Sequence, residues 1–410
     1  MTPPRVVLGV AGGIAAYKAA ELCRRLTEDG LSVRVVPTEG ALHFVGEATW
    51  AALSGNPVTT DVWSDVHDVP HVRLGREADL VVVAPATADL LARATAGRAN
   101  DLLTATLLTA RCPVLYAPAM HTEMWEHPAT RANVATLRSR GAVVLDPAVG
   151  RLTGPDTGRG RLPDPDAIAA VARRLLARGL QPPDLTGRRV VITAGGTREH
   201  LDPVRFLGNN SSGRQGYAFA STAAARGAAV TLVAANVSLP DPAGVDLVRV
   251  TSTEELRTAV LAAAEGADAV VMAAAPADFR PASYSPSKIK KTGDADPAPL
   301  VLTRTPDVAA EVGRKTGPGR LLVVFAAETM AAAHDALTSA AAKLAAKNAD
   351  LIVVNDVSDG AVFGATGNAV TVLDADGVVA EIGLRPKEEV ADAVWDLLLP
   401  RWASASRPDR

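Results

Sequence analysis

Cysteine, lysine and the aromatic residues are all scarce in this chain of 410 residues. The two cysteines, Cys23 and Cys112, stand in no metal-ligand spacing. They exclude a disulfide framework and a thiolate metal centre. Such sparing use fits a reducing compartment, and a cytoplasmic location is expected. No apolar run is long enough to span a bilayer, and MTPPRVVLGV has no signal-peptide core. The formal net charge is −3, and no basic run with interleaved aromatics occurs. A polyanion partner such as nucleic acid is therefore not expected. Lysine accounts for 8 of the 42 cationic side chains. Where one persists, the need for a compact ammonium rather than a guanidinium gains weight.

What is present is enough for two domains. The length exceeds one typical domain, and 48% hydrophobic content supplies two cores. The first half reads as alternating strands and helices. Val6 to Val10 is a buried strand, Gly12 and Gly13 turn the chain, and Ala15 to Leu26 has helical apolar spacing. A strand at Ser32 to Val36 follows, then Thr38 and a helix from about Ala41 to Leu53. DLVVVA (79–84) and CPVLYA (112–117) are further strands, with helices over 128–140 and 165–178 and a short strand near Val143. This order predicts a doubly wound α/β sheet whose ligand sits at the carboxyl ends of the strands, near Pro85 and Thr87. The glycine spacing is not GxGxxG and no Walker lysine follows, so a dinucleotide or P-loop site is a weak reading. His71 lies outside any strong periodic segment and reads as a loop residue. A surface histidine and an acid–base group both remain open there.

ARGLQPPDLTGRR, with two consecutive prolines, reads as a connector. The second half opens on RVVITAGGTREHLDPVRFLGNNSSGRQG: a buried strand from Arg189, a turn at Gly195 and Gly196, a long polar loop, and a helix from about Arg214. Asn and Ser before a helix suit its cap, and the helix start is an anion site. A strand–helix series then runs through strands at 229–234, 247–250, 269–273, 321–326 and 350–354. Helices are expected at 253–264 and 331–347, a hairpin near 369–382 and a helix over 386–399. Residues 403–410 read as a tail. Lys290, Lys343 and Lys347 come from separate segments, and a convergence on a triphosphate competes with ordinary solvated faces.

AGGIAAYK, PHVRLG, APATADLLARATAGRANDLL and PAMHTEMW, in that order, resemble the homo-oligomeric flavin-containing cysteine decarboxylases. The resemblance implies a flavodoxin-like domain that binds FMN and oxidatively decarboxylates a cysteine. It implies Gly12, Gly13, Ile14, Thr38, Ala86 and Thr87 beside the flavin, Met120 and His121 at the substrate, and His71 as the acid–base group. A cysteine carboxylate has no electron sink of its own, so loss of carbon dioxide needs prior oxidation of the side chain by the flavin. Two positions depart from the family pattern. His121 stands where asparagine is usual. Thr153 stands where the biosynthetic branch carries a proton-donating loop cysteine. The last proton is left to water, His121 or another residue.

TAGGTREHLDPVRFLGNNSSGRQG, AAAPADFRP, KIKK, FAAET and KLAAKNADLIVVNDV are similar to phosphopantothenate–cysteine ligases, which have a Rossmann-like α/β fold. Together the halves resemble the bacterial bifunctional family of coenzyme A biosynthesis. The domains expected are 1–178 (decarboxylase), 179–188 (linker), 189–400 (ligase) and 401–410 (tail). The resemblance implies activation of 4′-phosphopantothenate by CTP with Mg2+ to an acyl-cytidylate, then attack by cysteine. It implies Asn209 holding that intermediate and Lys290 stabilising developing charge. Ala273, Ala274, Asp278, Lys290, Thr305, Pro306, Asp307, Val308, Phe325, Lys343 and Lys347 are implied at CTP, and Ser211, Ser212 and Gly213 at the substrate phosphate. Arg214 keeps the charge of the lysine usual there. The assembly implied is a dodecamer of trimeric flavin and dimeric ligase modules. A working ligase with an impaired flavin half is the alternative.

Overall fold

The structure, a computed structural model, describes residues 2–58, 60, 69–152, 156–179, 181, 183–290, 299–315, 319–328, 333–356 and 367–405. They form two compact units. One is Met1–Gly187 with Ala224–Ala229 and Asp241–Val245; the other comprises Arg188–Ala223, Val230–Pro240 and Asp246–Arg410.

The first unit is built on β1 (Arg5–Val10), β2 (Ser32–Pro37), β3 (Leu80–Ala86), β4 (Val114–Pro118) and β5 (Val143–Val144), in the order β2-β1-β3-β4-β5. All four pairings are parallel. This is the flavodoxin-like order, with its switch point between β1 and β3. Apart from Arg5 at the start of β1 and Ser32 and Arg34 in the edge strand β2, the strands are apolar because both faces are covered. Val6, Leu8 and Val10 pack with Leu22, Leu26, Trp50, Ile168 and Leu175 on one face. Val7, Val81 and Val83 pack with Leu90, Leu102 and Leu103 on the other. Full burial of a side chain such as Leu22 contributes about 1.5–3 kcal/mol.

Four sequence expectations change here. The expected helix over 41–53 is two, Glu39–Leu42 and Glu47–Ser54, because Gly46 adopts an extended conformation between them. His71 is not on a loop. It lies in the helix Pro70–Glu77, where Pro70 at the first position presets φ. The segment after the last strand forms a hairpin, β6 (Ala148–Arg151) with β7 (Thr157–Arg161). Thr153 is outside the described residues. Within the expected linker, Leu185 is fully buried and Asp184 binds Arg178 and Arg226, so this connector is packed into its own unit.

The second unit has β8 (Arg189–Gly195), β9 (Arg198–His200), β10 (Phe206–Gly208), β11 (Ala229–Ala235), β12 (Val245–Val250), β13 (Ala269–Met272), β14 (Phe279–Pro281), β15 (Leu302–Arg304), β16 (Leu321–Glu328), β17 (Leu351–Asp356), β18 (Gly367–Asp374) and β19 (Gly377–Pro386). Its main sheet runs β12-β11-β8-β13-β16-β17-β18-β19. The stretch β8 to β17 is parallel and the β18–β19 hairpin closes one edge antiparallel. Two small antiparallel ribbons, β9–β10 and β14–β15, were not expected from the sequence. Nor was the helix Val308–Arg314. The last helix runs Lys387–Ala405 through Pro400, past the expected start of the tail; residues 406–410 are outside those described. Among the described residues no helix is long and apolar enough to cross a membrane.

Candidate active sites

In the first unit the carboxyl ends of β1, β2 and β3 are held level. The Thr38 amide donates to Val10 O at 2.8 Å and the Ala11 amide to Pro85 O at 3.2 Å. This sets Gly12 and Gly13, Thr38, and Pro85 to Thr87 around one cleft of about 1030 Å³. A Cβ at Gly12 would meet the Gly40 carbonyl carbon at 2.8 Å, so the two backbones touch there and leave the space above them clear. Thr87 caps the helix Ala88–Ala96, accepting from the Leu90 amide at 3.3 Å, which leaves its hydroxyl hydrogen to donate. Thr38 is buried at the start of the helix Glu39–Leu42 and makes no capping bond.

Of the residues expected at the flavin and its substrate, Gly12, Gly13, Ile14, Thr38, Thr87, Met120 and His121 line the cleft. Ala86 does not. It is fully buried within β3, and its carbonyl accepts from the Ala119 amide; Pro85 lines the cleft in its place. Met120 and His121 are tied to the hairpin by the Met120 amide, which donates to Gly160 O at 2.9 Å. A Cβ at Gly160 would meet Met120 O at 2.1 Å, so the hairpin closes on this strand end only because that position is glycine.

Sequence reading gave no role to several polar residues of this cleft. Arg93 bridges Asp101 at 2.5 Å and Asp89 at 2.9 Å, and Asp101 caps the helix Leu102–Thr109. Burial would raise the Asp101 carboxyl, but Thr104 and Arg93 outweigh it and hold the group below the usual range. Lys18 also lines the cleft; burial, then the nearby Arg161, lowers its ammonium, with Asp164 and Glu21 opposing. The scarcity of lysine and its place at the end of AGGIAAYK were the signals available for Lys18.

His71 is not among the residues lining the cleft. Its helix packs on Leu102–Thr109, with Thr109 Oγ1 donating to His71 O at 2.7 Å. The His71 Nδ1 is buried and has no hydrogen-bond partner among the described residues.

The second unit gathers its candidate residues on loops. Asn209 follows β10 and donates from Nδ2 to Pro276 O at 2.8 Å, beside Ala273 and Ala274 at the end of β13. Thr305 Oγ1 donates to Ala277 O at 2.5 Å and its amide to Asp278 O at 3.0 Å. Asp307 caps the helix Val308–Arg314 and pairs with Lys347 at 2.7 Å. Phe325, on β16, meets Phe219 edge-on at 5.6 Å. Ser211 Oγ accepts from the Gly213 amide at the start of the helix Arg214–Ala225. Lys290 and Lys343 are exposed. Lys347 lies just past the end of the helix Ala333–Ala346.

A buried chain of hydroxyls supports these loops and was missed in the sequence. Thr253 donates from its amide and from Oγ1 to Glu199 Oε1, at 2.8 Å each. Its one hydroxyl hydrogen being used, it accepts from Thr197 Oγ1 at 2.9 Å. Thr197 Oγ1 in turn accepts from the Ala277 amide at 2.8 Å. The carboxylate thus fixes the loop 273–278 from beneath.

Residues 1–176 match the family model described as Flavoprotein, and residues 185–400 the one described as DNA/pantothenate metabolism flavoprotein C-terminal domain. The class is therefore a two-module flavoprotein enzyme. The chain is 57% identical over 411 residues to the Coenzyme A biosynthesis bifunctional protein CoaBC of Mycobacterium tuberculosis, covering 98% of each. It is 42% identical over 390 residues to the protein of that name from Vibrio parahaemolyticus, covering 94% of this chain and 96% of the relative. A crystal structure of the C-terminal domain of such a protein is 36% identical, with a TM-score of 0.46, and the match covers 54% of this chain and 99% of that one. The chain belongs to the family of bifunctional coenzyme A biosynthesis proteins. It is an enzyme with phosphopantothenoylcysteine decarboxylase and phosphopantothenate–cysteine ligase activities. The alternative of an impaired flavin half is not favoured, since the relatives match along both modules.

Proposed function

We propose that the first module binds FMN in the cleft above Gly12 and Gly13, and that the second uses CTP with Mg2+ to join 4′-phosphopantothenate to cysteine. The observation that carries the first part is the cleft itself. Its floor is bare backbone at Gly12 and Gly40, and Thr38 and Thr87 stand at its edge as phosphate donors. A flavin bound there supplies the electron sink that carbon dioxide loss from a cysteine carboxylate lacks. Met120 and His121 border the space left for the substrate, and Arg151, Gly160 and Arg161 of the β6–β7 hairpin line the same cleft.

His71 is proposed as the acid–base group. Because it does not line the cleft of its own chain, this reading needs a second copy to bring its His71 there, which agrees with the expected trimeric flavin module. In the second module Asn209 holds the acyl-cytidylate and Lys290 meets developing charge. Thr305, the capped helix start at Asp307 and Val308, Phe325, Lys343 and Lys347 receive the nucleotide; Ser211, Ser212 and Gly213 receive the substrate phosphate. Mg2+ enters on the triphosphate, as is usual for that ion. Phe206, Phe279, Val301 and Leu302 are exposed on the two ribbons, which supports a dimeric ligase module. The dodecamer of trimeric flavin and dimeric ligase modules remains the assembly that the family resemblance implies. The boundaries proposed are 1–178, 179–188, 189–400 and 401–410.

The test is a pair of single substitutions assayed for each half-reaction. His71→Asn is expected to lower carbon dioxide release from phosphopantothenoylcysteine by about 10²–10⁴-fold with ligation intact. Lys290→Gln is expected to slow ligation by about 10²-fold with decarboxylation intact. Normal carbon dioxide release by the first variant removes His71 from the mechanism; normal ligation by the second removes Lys290.

A further inference from the structure

We infer that Asp202 is a positioning residue for ligation: its buried carboxylate fixes the segment that carries Lys290 against the turn that leads to Asn209. The inference rests on the roles proposed for those two residues. Leu201–Arg205 is the turn between β9 and β10, and β10 runs directly into Asn209. Asp202 is fully buried. Its Oδ1 accepts from the Val204 and Arg205 amides at 2.8 Å each, closing the turn. Its Oδ2 reaches out of the turn and accepts from the Ile289 amide at 3.2 Å.

The grip on Ile289 is double. Arg205 Nη2 donates to Ile289 O at 2.9 Å, so the amide and the carbonyl of the residue preceding Lys290 are held by one turn. The Ser285 amide donates to Leu201 O at 2.9 Å and fixes the start of the same segment. Residues 282–290 belong to no helix or strand, so these bonds replace the ladder that would otherwise set their position. On the far side, Asn209 is pinned to Pro276 O at 2.8 Å. One carboxylate therefore joins the two arms. Burial raises its pKa, but the Val204, Arg205 and Ile289 amides outweigh this and keep it ionised. An ammonium that must meet charge appearing only in the transition state loses its effect when displaced by as little as ~1 Å.

Asp202→Asn separates this role from that of closing the turn. The amide oxygen can still accept from Val204 and Arg205, while its NH2 now faces the Ile289 amide, donor against donor. In the full-length enzyme ligation turnover should fall about tenfold or more. The KM for CTP should change less, and decarboxylation of phosphopantothenoylcysteine supplied directly should be unaffected. Amide exchange should quicken at 285–289 and stay unchanged in β16. In a Lys290→Gln background the same substitution should cost less than about twofold, because its effect passes through Lys290. An equal cost in both backgrounds, or faster exchange in β16 as well, would reduce Asp202 to a structural residue and overturn the inference alone. Normal ligation by Lys290→Gln itself would overturn the Lys290 assignment and, with it, this route.

Discussion

Each module follows its first strand with a pair of glycines, and the two pairs do opposite things. After β1, Gly12 touches the backbone of Gly40 and the space above stays open as a cleft. After β8, the chain fills the space itself. A Cβ at Gly195 would meet Ala235 O at 2.0 Å, and one at Gly196 would meet Asn209 O at 2.4 Å. The first pair clears room for a ligand. The second lets the chain's own loops close in, and the site is then assembled from those loops by buried hydrogen bonds. A glycine pair after a strand thus permits close approach; what approaches is decided by the rest of the fold.

The largest expected effect comes from filling the second pair. Gly195 sits at φ +84°, and its absent Cβ has backbone in its place. Gly195→Ala should cost at least about 2–3 kcal/mol and abolish ligation, measured by urea unfolding and by pyrophosphate release. Retained stability would break the comparison at its root. Next is Gly12→Ala, whose Cβ would press on the Gly40 backbone. Because the neighbour is backbone, these turns must shift: the first module should lose some stability, and the purified protein its yellow colour and its decarboxylation, while ligation continues. A coloured, active variant would show that the cleft tolerates a side chain at its floor.

A smaller effect tests the hydrogen-bonded support of the second site. Thr253→Val keeps the shape but removes the hydroxyl between Glu199 and Thr197. It should cost about 1–3 kcal/mol and raise the KM for CTP, because loop 273–278 loses its anchor. An unchanged KM would mean that the loop is held by packing alone.

The smallest concerns Lys347 and Asp307. Burial raises the Asp307 carboxyl, but Lys347, the Ala310 amide and Arg314 outweigh it and hold it below its ordinary value of 3.8. A depressed carboxyl stabilises the fold fully above that value and loses its contribution as pH falls through the folded pKa. The Asp307 side chain is 55% exposed, so solvent screens the pair and the contribution is at most about 1 kcal/mol. Urea midpoints between pH 6 and 3 should therefore fall slightly more for the parent than for Asp307→Asn. Parallel curves would leave the pair no part in stability.

The strands and main helices of both modules were legible because their apolar periods are long and regular. The helix expected at 253–264 lies at Thr253–Ala264, and β1, β2 and β8 differ from expectation by two residues or fewer at either end. What was missed is short and polar. PHVRLGRE has too few apolar positions for a period, so the helix holding His71 read as a loop. REH and FLG are three-residue strands that exist only because each pairs with the other. Gly12, Gly13, Thr38, Pro85 and Thr87 were legible from the glycine turn and the strand ends, whereas Ile14, Met120 and His121 were named only through the family resemblance. The strand end pointed to Pro85 and Thr87, which do line the cleft; Ala86, added by the resemblance, lies between them and faces the other way, since one residue along a strand reverses the face it presents.

By itself the sequence determined two modules built on parallel strands, because burial on both faces demands continuous apolar strands and leaves glycine and hydroxyl residues for the turns at their carboxyl ends. Only the tertiary structure decided which glycine pair opens on a cleft, and that Glu199 and Asp202 are buried beneath the second site. Those carboxylates meet amides and hydroxyls tens of residues away, and the accounting of buried polar groups exists only once the chain has folded.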